Sequence, residues 1–175
     1  MTEPLSVLFL CTANICRSPA MELIARDLAG PDADIVFSSS GTHARTGHRM
    51  NPVMVDTVPG LDVTGFRSRR LKPEMLLDAD LVLTAESIHR QHVLDDYPQL
   101  HRQLFTLGQF AAAVAEIPGL TGLELIAAVG QKRQPAHPEL DVADPYRRGA
   151  KAAATATGTI TAMLSVVVPR LTGDS

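Results

Sequence analysis

Cys11 and Arg17 bracket the short run Thr12-Ala13-Asn14-Ile15-Cys16, with Ser18 next, and the whole Cys-x5-Arg-Ser stretch lies between the apolar run Val7-Leu8-Phe9-Leu10 and Pro19-Ala20-Met21-Glu22. A buried strand that ends in a short loop aims the loop's backbone N–H groups, and the N-terminus of the following helix, at one point. An oxyanion fits there. Cys11 stands inside that positive field, where a thiolate is favoured over a thiol and becomes a nucleophile able to attack phosphorus. Arg17 brings a planar fork that holds two equatorial oxygens at once. Ser18 is a good N-cap and Pro19 suits the first helical position, so the spacing predicts a helix from about residue 19.

Other uses of these residues are weaker. A lone Cys at a strand end is commonly a small hydrophobe, but here its neighbours argue for chemistry. Zinc would need further ligands at suitable spacing, and the chain has only two Cys and six scattered His. A Walker loop would need Gly-x4-Gly-Lys-Ser/Thr, which is not present.

The loop resembles that of the low-molecular-weight protein tyrosine phosphatases, Cys-x-Gly-Asn-x-Cys-Arg-Ser-Pro. Ser39-Ser40-Gly41-Thr42 is similar to that family's Ser-Ala-Gly-Thr, Arg67-Ser68-Arg69 to its middle basic stretch, and Asp144-Pro145-Tyr146 to its general-acid loop. The resemblance implies that Cys11 attacks phosphorus to give a cysteinyl-phosphate. Arg17 and the N–H groups of Thr12, Ala13, Asn14, Ile15, Cys16, Arg17 and Ser18 would bind the phosphate, with no metal and no cofactor. Asp144 would protonate the leaving oxygen and then activate water. Ile15 and Tyr146 would wall the slot for the substrate's ring. Ser18 is placed to donate to the Cys11 sulfur, and Asn14, suited to a left-handed turn, would lock the loop together with Ser39.

Departures from the pattern carry their own expectations. Ala13 replaces the family's Gly and would be strained at any positive φ. Phe66 stands where a His is usual, so part of the network around Asn14 should be missing. Ala44-Arg45-Thr46 replaces an aromatic wall, and Arg45 reads as a solvated side chain. Cys16 either packs beneath the loop or resolves an oxidised Cys11.

The chain has 175 residues, 45% hydrophobic and 20% charged, enough for one domain over 1–175 with a real core. Its 16 basic and 19 acidic residues give a net charge of −3, which excludes a bulk field for nucleic acid or anionic membrane. The N-terminus lacks a basic segment followed by a long apolar run, so the expected location is cytoplasmic.

Positioning these residues requires strands at about 6–10, 35–38, 81–84 and 104–107, alternating with helices. That order predicts an α/β fold with a central four-stranded parallel sheet and the phosphate-binding loop after strand 1. A first helix over about 19–28 would bury Met21, Ile24 and Leu28. A last one over about 147–171 would bury Ala153, Thr157, Ile160, Leu164, Val167 and Leu171. Gly158 within it, at a cost of roughly 1 kcal/mol in helix propensity, suggests a close backbone contact. The segment 111–138 reads as an extra helix plus a mobile linker that covers the sheet.

The expected function is hydrolysis of phosphotyrosine or aryl phosphomonoesters on a protein substrate; a bacterial exopolysaccharide kinase is one partner such phosphatases have. Two alternatives stay open. One is a thiol-dependent arsenate reductase of the same fold, and the other is a catalytically inactive phosphotyrosine-binding regulator.

Overall fold

The computed structural model describes residues 3–132 and 135–173. In chain order, β1 is Leu5–Cys11, α1 Arg17–Ala29, β2 Ile35–Gly41, α2 Pro52–Val55, α3 Pro73–Leu77, β3 Leu81–Thr84 and α4 Ser87–Asp96. A 3-10 turn over Pro98–Arg102 leads into β4 Leu104–Thr106, then α5 Leu107–Ala115, α6 Gly122–Gln131, a second 3-10 turn Pro138–Leu140, and α7 Gly149–Thr172. The sheet has the order β2-β1-β3-β4, with every pairing parallel. This is the expected α/β architecture.

Successive side chains of a strand point to opposite faces, so β1 must find apolar cover twice. Val7 and Phe9 join the core formed by α1, α5, α6 and α7, while Leu8 and Leu10 join the one around Leu76, Val82, Val93, Leu100 and Leu104. The chain leaves β1 for β2 on one side and crosses back to β3 on the other. The crevice at the carboxyl ends of β1 and β3 is therefore the switch point where such sheets bind ligands.

α1 begins earlier than expected, at Arg17, so Ser18 is already helical and Pro19 is the third helical residue. Cys16 occupies the N-cap position, without a side-chain cap. Ser18 is withdrawn from capping because its hydroxyl is used inside the loop. Met21 and Ile24 are buried, but Leu28 is 41% exposed near the helix end, with Ala20 and Ala25 completing the buried face instead.

The six residues expected to line the inner face of α7 are all buried. α7 is long and apolar enough to cross a bilayer by length and composition, but eight of its residues are buried in the fold. At Gly158 a Cβ would meet nothing within 4 Å, so the expected close contact is absent there. The segment 111–138 supplies the end of α5 and all of α6, whose Leu125, Ile126 and Val129 are buried in the core, with α6 packed on α5, α7 and the first 3-10 turn rather than on the strands. Of the linker, residues 133–134 lie outside the described residues.

β2 ends at Gly41 against the loop that follows β1. A Cβ on Gly41 would lie 2.5 Å from the Thr12 carbonyl oxygen, 2.8 Å from the Ala44 Cβ and 2.9 Å from the Asn14 nitrogen. Two of those neighbours are backbone, which cannot swing aside. Gly41→Ala should lower stability by about 1–3 kcal/mol in urea titration and misshape the loop. An unchanged midpoint together with unchanged oxyanion binding would contradict the close approach.

Candidate active site

The loop over 11–18 curls because its carbonyls are drawn outward. Cys11 and Thr12 carbonyls accept from the N–H groups of Thr42 and His43, and the Ile15 carbonyl accepts from Asn51. No peptide bond among the described residues is cis, and in a trans peptide the N–H points opposite to the preceding C=O. The N–H groups of Thr12, Ala13 and Cys16 must then face the inside of the curl. The Cys16 carbonyl accepts from Ala20, so the N–H of Arg17 points out of the start of α1 in the same way.

Asn14 makes the turn, at φ 54°. Its Nδ2 donates to Ser18 Oγ and Ser39 Oγ, both at 2.9 Å, and its Oδ1 accepts from the Arg69 N–H at 2.7 Å. Ser39 Oγ donates in turn to the buried carboxylate of Glu22, which also pairs with Arg26. The lock on Asn14 is thus complete without a His at position 66. Ala13 has no positive φ and carries no strain of that kind.

Ser18 Oγ lies 3.0 Å from Cys11 Sγ and 3.3 Å from the Ser40 carbonyl. Since Asn14 already donates to this oxygen, its single hydrogen is left for one of those two acceptors. An anionic sulfur is the stronger one. Cys16 lines the same cavity, and burial, followed by the charge of Cys11, pushes its thiol up to about 12. It therefore remains a neutral thiol through the physiological range.

Arg17 has an exposure of only 3% and its fork is divided. Nη1 donates to the Val142 carbonyl at 2.9 Å and pairs with Glu86 Oε2 at 2.5 Å. Nη2 lies 3.5 Å from Asp144 Oδ1, and Nε is buried with no hydrogen-bond partner. Nε and Nη2 form the edge of a guanidinium that grips an oxyanion with two parallel bonds. Nη1 is fixed by protein, whereas on the other edge Nε has no partner and Nη2 lies toward Asp144.

The Asp144 loop is seated by its neighbours. Val142 is fully buried, donates its N–H to the Ala85 carbonyl and offers its own carbonyl to Arg17. Asp141 accepts from the N–H and hydroxyl of Ser87, and Leu140 lies so close to Gly108 that a Cβ there would overlap its carbonyl oxygen. Asp144 itself accepts from the Tyr146 N–H at 3.2 Å, the turn that an Asp before Pro favours. Cys11, Thr12, Ala13, Ile15, Cys16, Arg17, Asp144 and Tyr146 line one cavity of about 280 Å³. Cys11 and Asp144, 133 positions apart in sequence, are brought together as expected. A larger and more open cleft around Arg26, Phe37 and Leu61 presents no nucleophile.

Sequence reasoning missed Glu86, His89, Val142 and the anchoring role of Glu22. Glu86 and His89 follow the carboxyl end of β3, beside the switch point, and that position was the available signal. His89 Nδ1 accepts from the Glu86 N–H at 3.1 Å, so the neutral ring carries its proton on Nε2 and donates to Thr12 Oγ1 at 2.8 Å. Burial, then the charge of Arg17, lowers its pKa to about 4.

Residues 6–118 match the family described as low molecular weight phosphotyrosine protein phosphatase. Over 169 residues, 95% of each chain, the sequence is 25% identical to a probable low molecular weight protein-tyrosine-phosphatase, EpsP, of Ralstonia nicotianae. The solved low molecular weight protein tyrosine phosphatase from T. tengcongensis superposes with a TM-score of 0.74 at 26% identity, over 95% of this chain and 99% of that one. The YwlE arginine phosphatase from Geobacillus stearothermophilus gives a TM-score of 0.74 at 24% identity, over 98% of this chain and 95% of that one, which shows a shared fold.

The depressed His89 pKa has a sign that can be checked. Above its unfolded value near 6.5 the ring is neutral in both states and stability is unaffected. As pH falls from there toward about 4, the unfolded chain takes up a proton that the folded one refuses, and stability is lost. Thermal midpoints of wild type and His89→Gln should therefore converge between pH 7 and pH 4, because the variant lacks this proton. Parallel midpoint curves would show that the ring is not held neutral.

Proposed function

The chain belongs to the low molecular weight phosphotyrosine protein phosphatase family, and from that membership we propose that it hydrolyses phosphotyrosine on a protein substrate, with Cys11 as nucleophile, Arg17 as phosphate clamp and Asp144 as general acid. The observation that carries this reading is the divided fork of Arg17: an unpartnered buried Nε beside the Cys11 loop, with the opposite edge tied to Glu86 and Val142. Cys11 Sγ attacks phosphorus from inside the curl as the bond to the tyrosyl oxygen breaks in line. The inward N–H groups and the Nε/Nη2 edge balance the charge on the three equatorial oxygens, the part of such a reaction that protein groups can influence most. Asp144, at the mouth, gives its proton to the departing oxygen and takes one from the water that then attacks the cysteinyl-phosphate. Ser18 donates to the Cys11 sulfur when it is anionic, both before attack and as it leaves.

An arginine phosphatase shares the fold, so the alternative substrate is a phosphoguanidine. Its N–H donors would need acceptors along the wall. Ile15 and Ala13 supply none, while an aryl ring is matched by Ile15 and the face of Tyr146. Phosphotyrosine therefore fits better. A phosphatase-like domain occupying 1–175, a tyrosine kinase among its substrates, and a cytoplasmic setting that keeps Cys11 reduced belong to the same proposal.

Cys11→Ser should abolish turnover of p-nitrophenyl phosphate and phosphotyrosine peptides while retaining vanadate binding. Arg17→Lys should impair both, since a point charge cannot replace the fork. Asp144→Asn should slow single-turnover phosphorylation of Cys11 by ~100- to 10,000-fold with a phosphotyrosine peptide, and by far less with an aryl phosphate whose leaving group is weakly basic. Preferential hydrolysis of phosphoarginine, or arsenate reduction with an added thiol in place of phosphate release, would refute the substrate assignment.

A further inference from the structure

Two segments form a ledge on one side of the cavity. The first, over 42–51, is fastened to the catalytic loop at both ends, through Thr42 and His43 to the Cys11 and Thr12 carbonyls and through Asn51 to the Ile15 carbonyl. The second, over 65–72, is laced to the first by Ser68, which donates its hydroxyl to the Arg45 carbonyl, accepts there from the His48 N–H, and exchanges backbone bonds with Gly47 and His48. Through the Arg69 N–H it also reaches Asn14. Every residue of the ledge is thus within a few positions of a bond to the loop that surrounds Cys11.

The ledge is one-signed. It carries Arg45, Arg49, Arg67, Arg69, Arg70 and Lys72, six of the chain's 16 basic residues, and no Asp or Glu occurs over 42–55 or 63–73. All six are exposed, and among the described residues none has a carboxylate within 4.0 Å. Arg67 and Arg69 are turned back onto backbone carbonyls. For Arg45, Arg49 and Arg70 no side-chain hydrogen bond is formed among the described residues. Across the mouth, Tyr146 is followed by the exposed pair Arg147 and Arg148. A chain of net charge −3 has therefore gathered unpaired guanidinium groups on two segments bonded directly to the loop that lines the cavity.

We propose that this ledge binds Asp and Glu side chains flanking the phosphotyrosine, so that the enzyme selects phosphorylated segments of high acidic content. The proposal rests on the phosphatase reading above and adds to it the chemical class of the surrounding peptide. Guanidinium forks suit carboxylates geometrically, and a clustered field beside the pocket raises the encounter rate with an anionic segment. The excess of acid elsewhere on the chain disfavours a long polyanion that would extend beyond the ledge.

The test compares three peptides with one central phosphotyrosine: one flanked by Asp and Glu, one by Ser and Gln, and one neutral but carrying a second phosphotyrosine. p-Nitrophenyl phosphate serves as the substrate without flanks. At low ionic strength, kcat/KM for the acidic peptide should exceed that for the neutral one by about 10-fold, mainly through KM, and the ratio should approach one in ~0.5 M salt. The triple variant Arg45→Ser, Arg49→Ser, Arg70→Ser should lose this preference and keep p-nitrophenyl phosphate turnover within about twofold of wild type. Equal kcat/KM for acidic and neutral peptides would overturn the proposal, as would a preference that survives in the triple variant or one that only the second phosphate elicits. Should no aryl phosphate be turned over at all, the phosphatase reading fails and the ledge is judged by binding. Salt-sensitive binding of the unphosphorylated acidic peptide by wild type but not by the triple variant would still support it, and its absence would overturn it.

Discussion

Backbone N–H groups converge on a point only if the carbonyls of the same peptides find partners on the outside, and this constraint organises the whole molecule. Thr42, His43 and Asn51 supply those partners, so the segment after β2 must run against the loop after β1. That requires parallel pairing of β1 with β2 in a register that places Gly41 beside Cys11. A side chain at 41 would separate the two by its own width. Even the reversal at Asn14 depends on β2, since Ser39 and the buried Glu22 behind it hold the amide in place.

Arg17 links that cradle to the other half of the sheet. Its Nη1 takes one acceptor from the end of β3, Glu86, and one from the Asp144 loop, the Val142 carbonyl. The position of the fork therefore reports on three segments at once. Nη2 lies toward Asp144, so one planar group joins all three.

The parts legible in the sequence were those whose chemistry is local: the Cys-x5-Arg run, the Asn able to take a left-handed turn, the Asp-Pro-Tyr turn and the apolar strands. The strand ends were less so, because β2 continues three residues past the expected 38, through Ser39, Ser40 and Gly41, whose polarity hides a strand that is buried by its contact with the loop. Ser18 looked like a cap for a similar reason. Its type fits that role as well as the bond to Cys11 that the resemblance implied, and in the structure its hydroxyl lies between Asn14 and Cys11 rather than on the helix end. Phe66 was expected to leave Asn14 short of a partner, but the backbone N–H of Arg69 supplies the bond, and a backbone donor leaves no trace in residue identity. Glu86 and His89 were missed because nothing in their neighbourhood in sequence refers to Cys11, and only their place after β3 marks them. The order of strands alone brings β3 beside β1.

Two non-glycine residues among those described have positive φ, Asn14 and Arg147, and they stand on the two loops that face each other across the cavity. Such conformations persist only where the surroundings over-determine them. For Asn14 the cause is a side chain with three hydrogen bonds. For Arg147 it is a backbone that must leave the Asp144 turn and enter α7 within a few residues, with Gly149 at φ 83° completing the change and the guanidinium lying 5.2 Å from the centre of the Tyr146 ring. The Tyr146 ring is thereby held at the mouth although nearly half of it is exposed. A left-handed turn on one side shapes the curl of the Cys11 loop, and one on the other sets Asp144 and Tyr146 across the cavity from it.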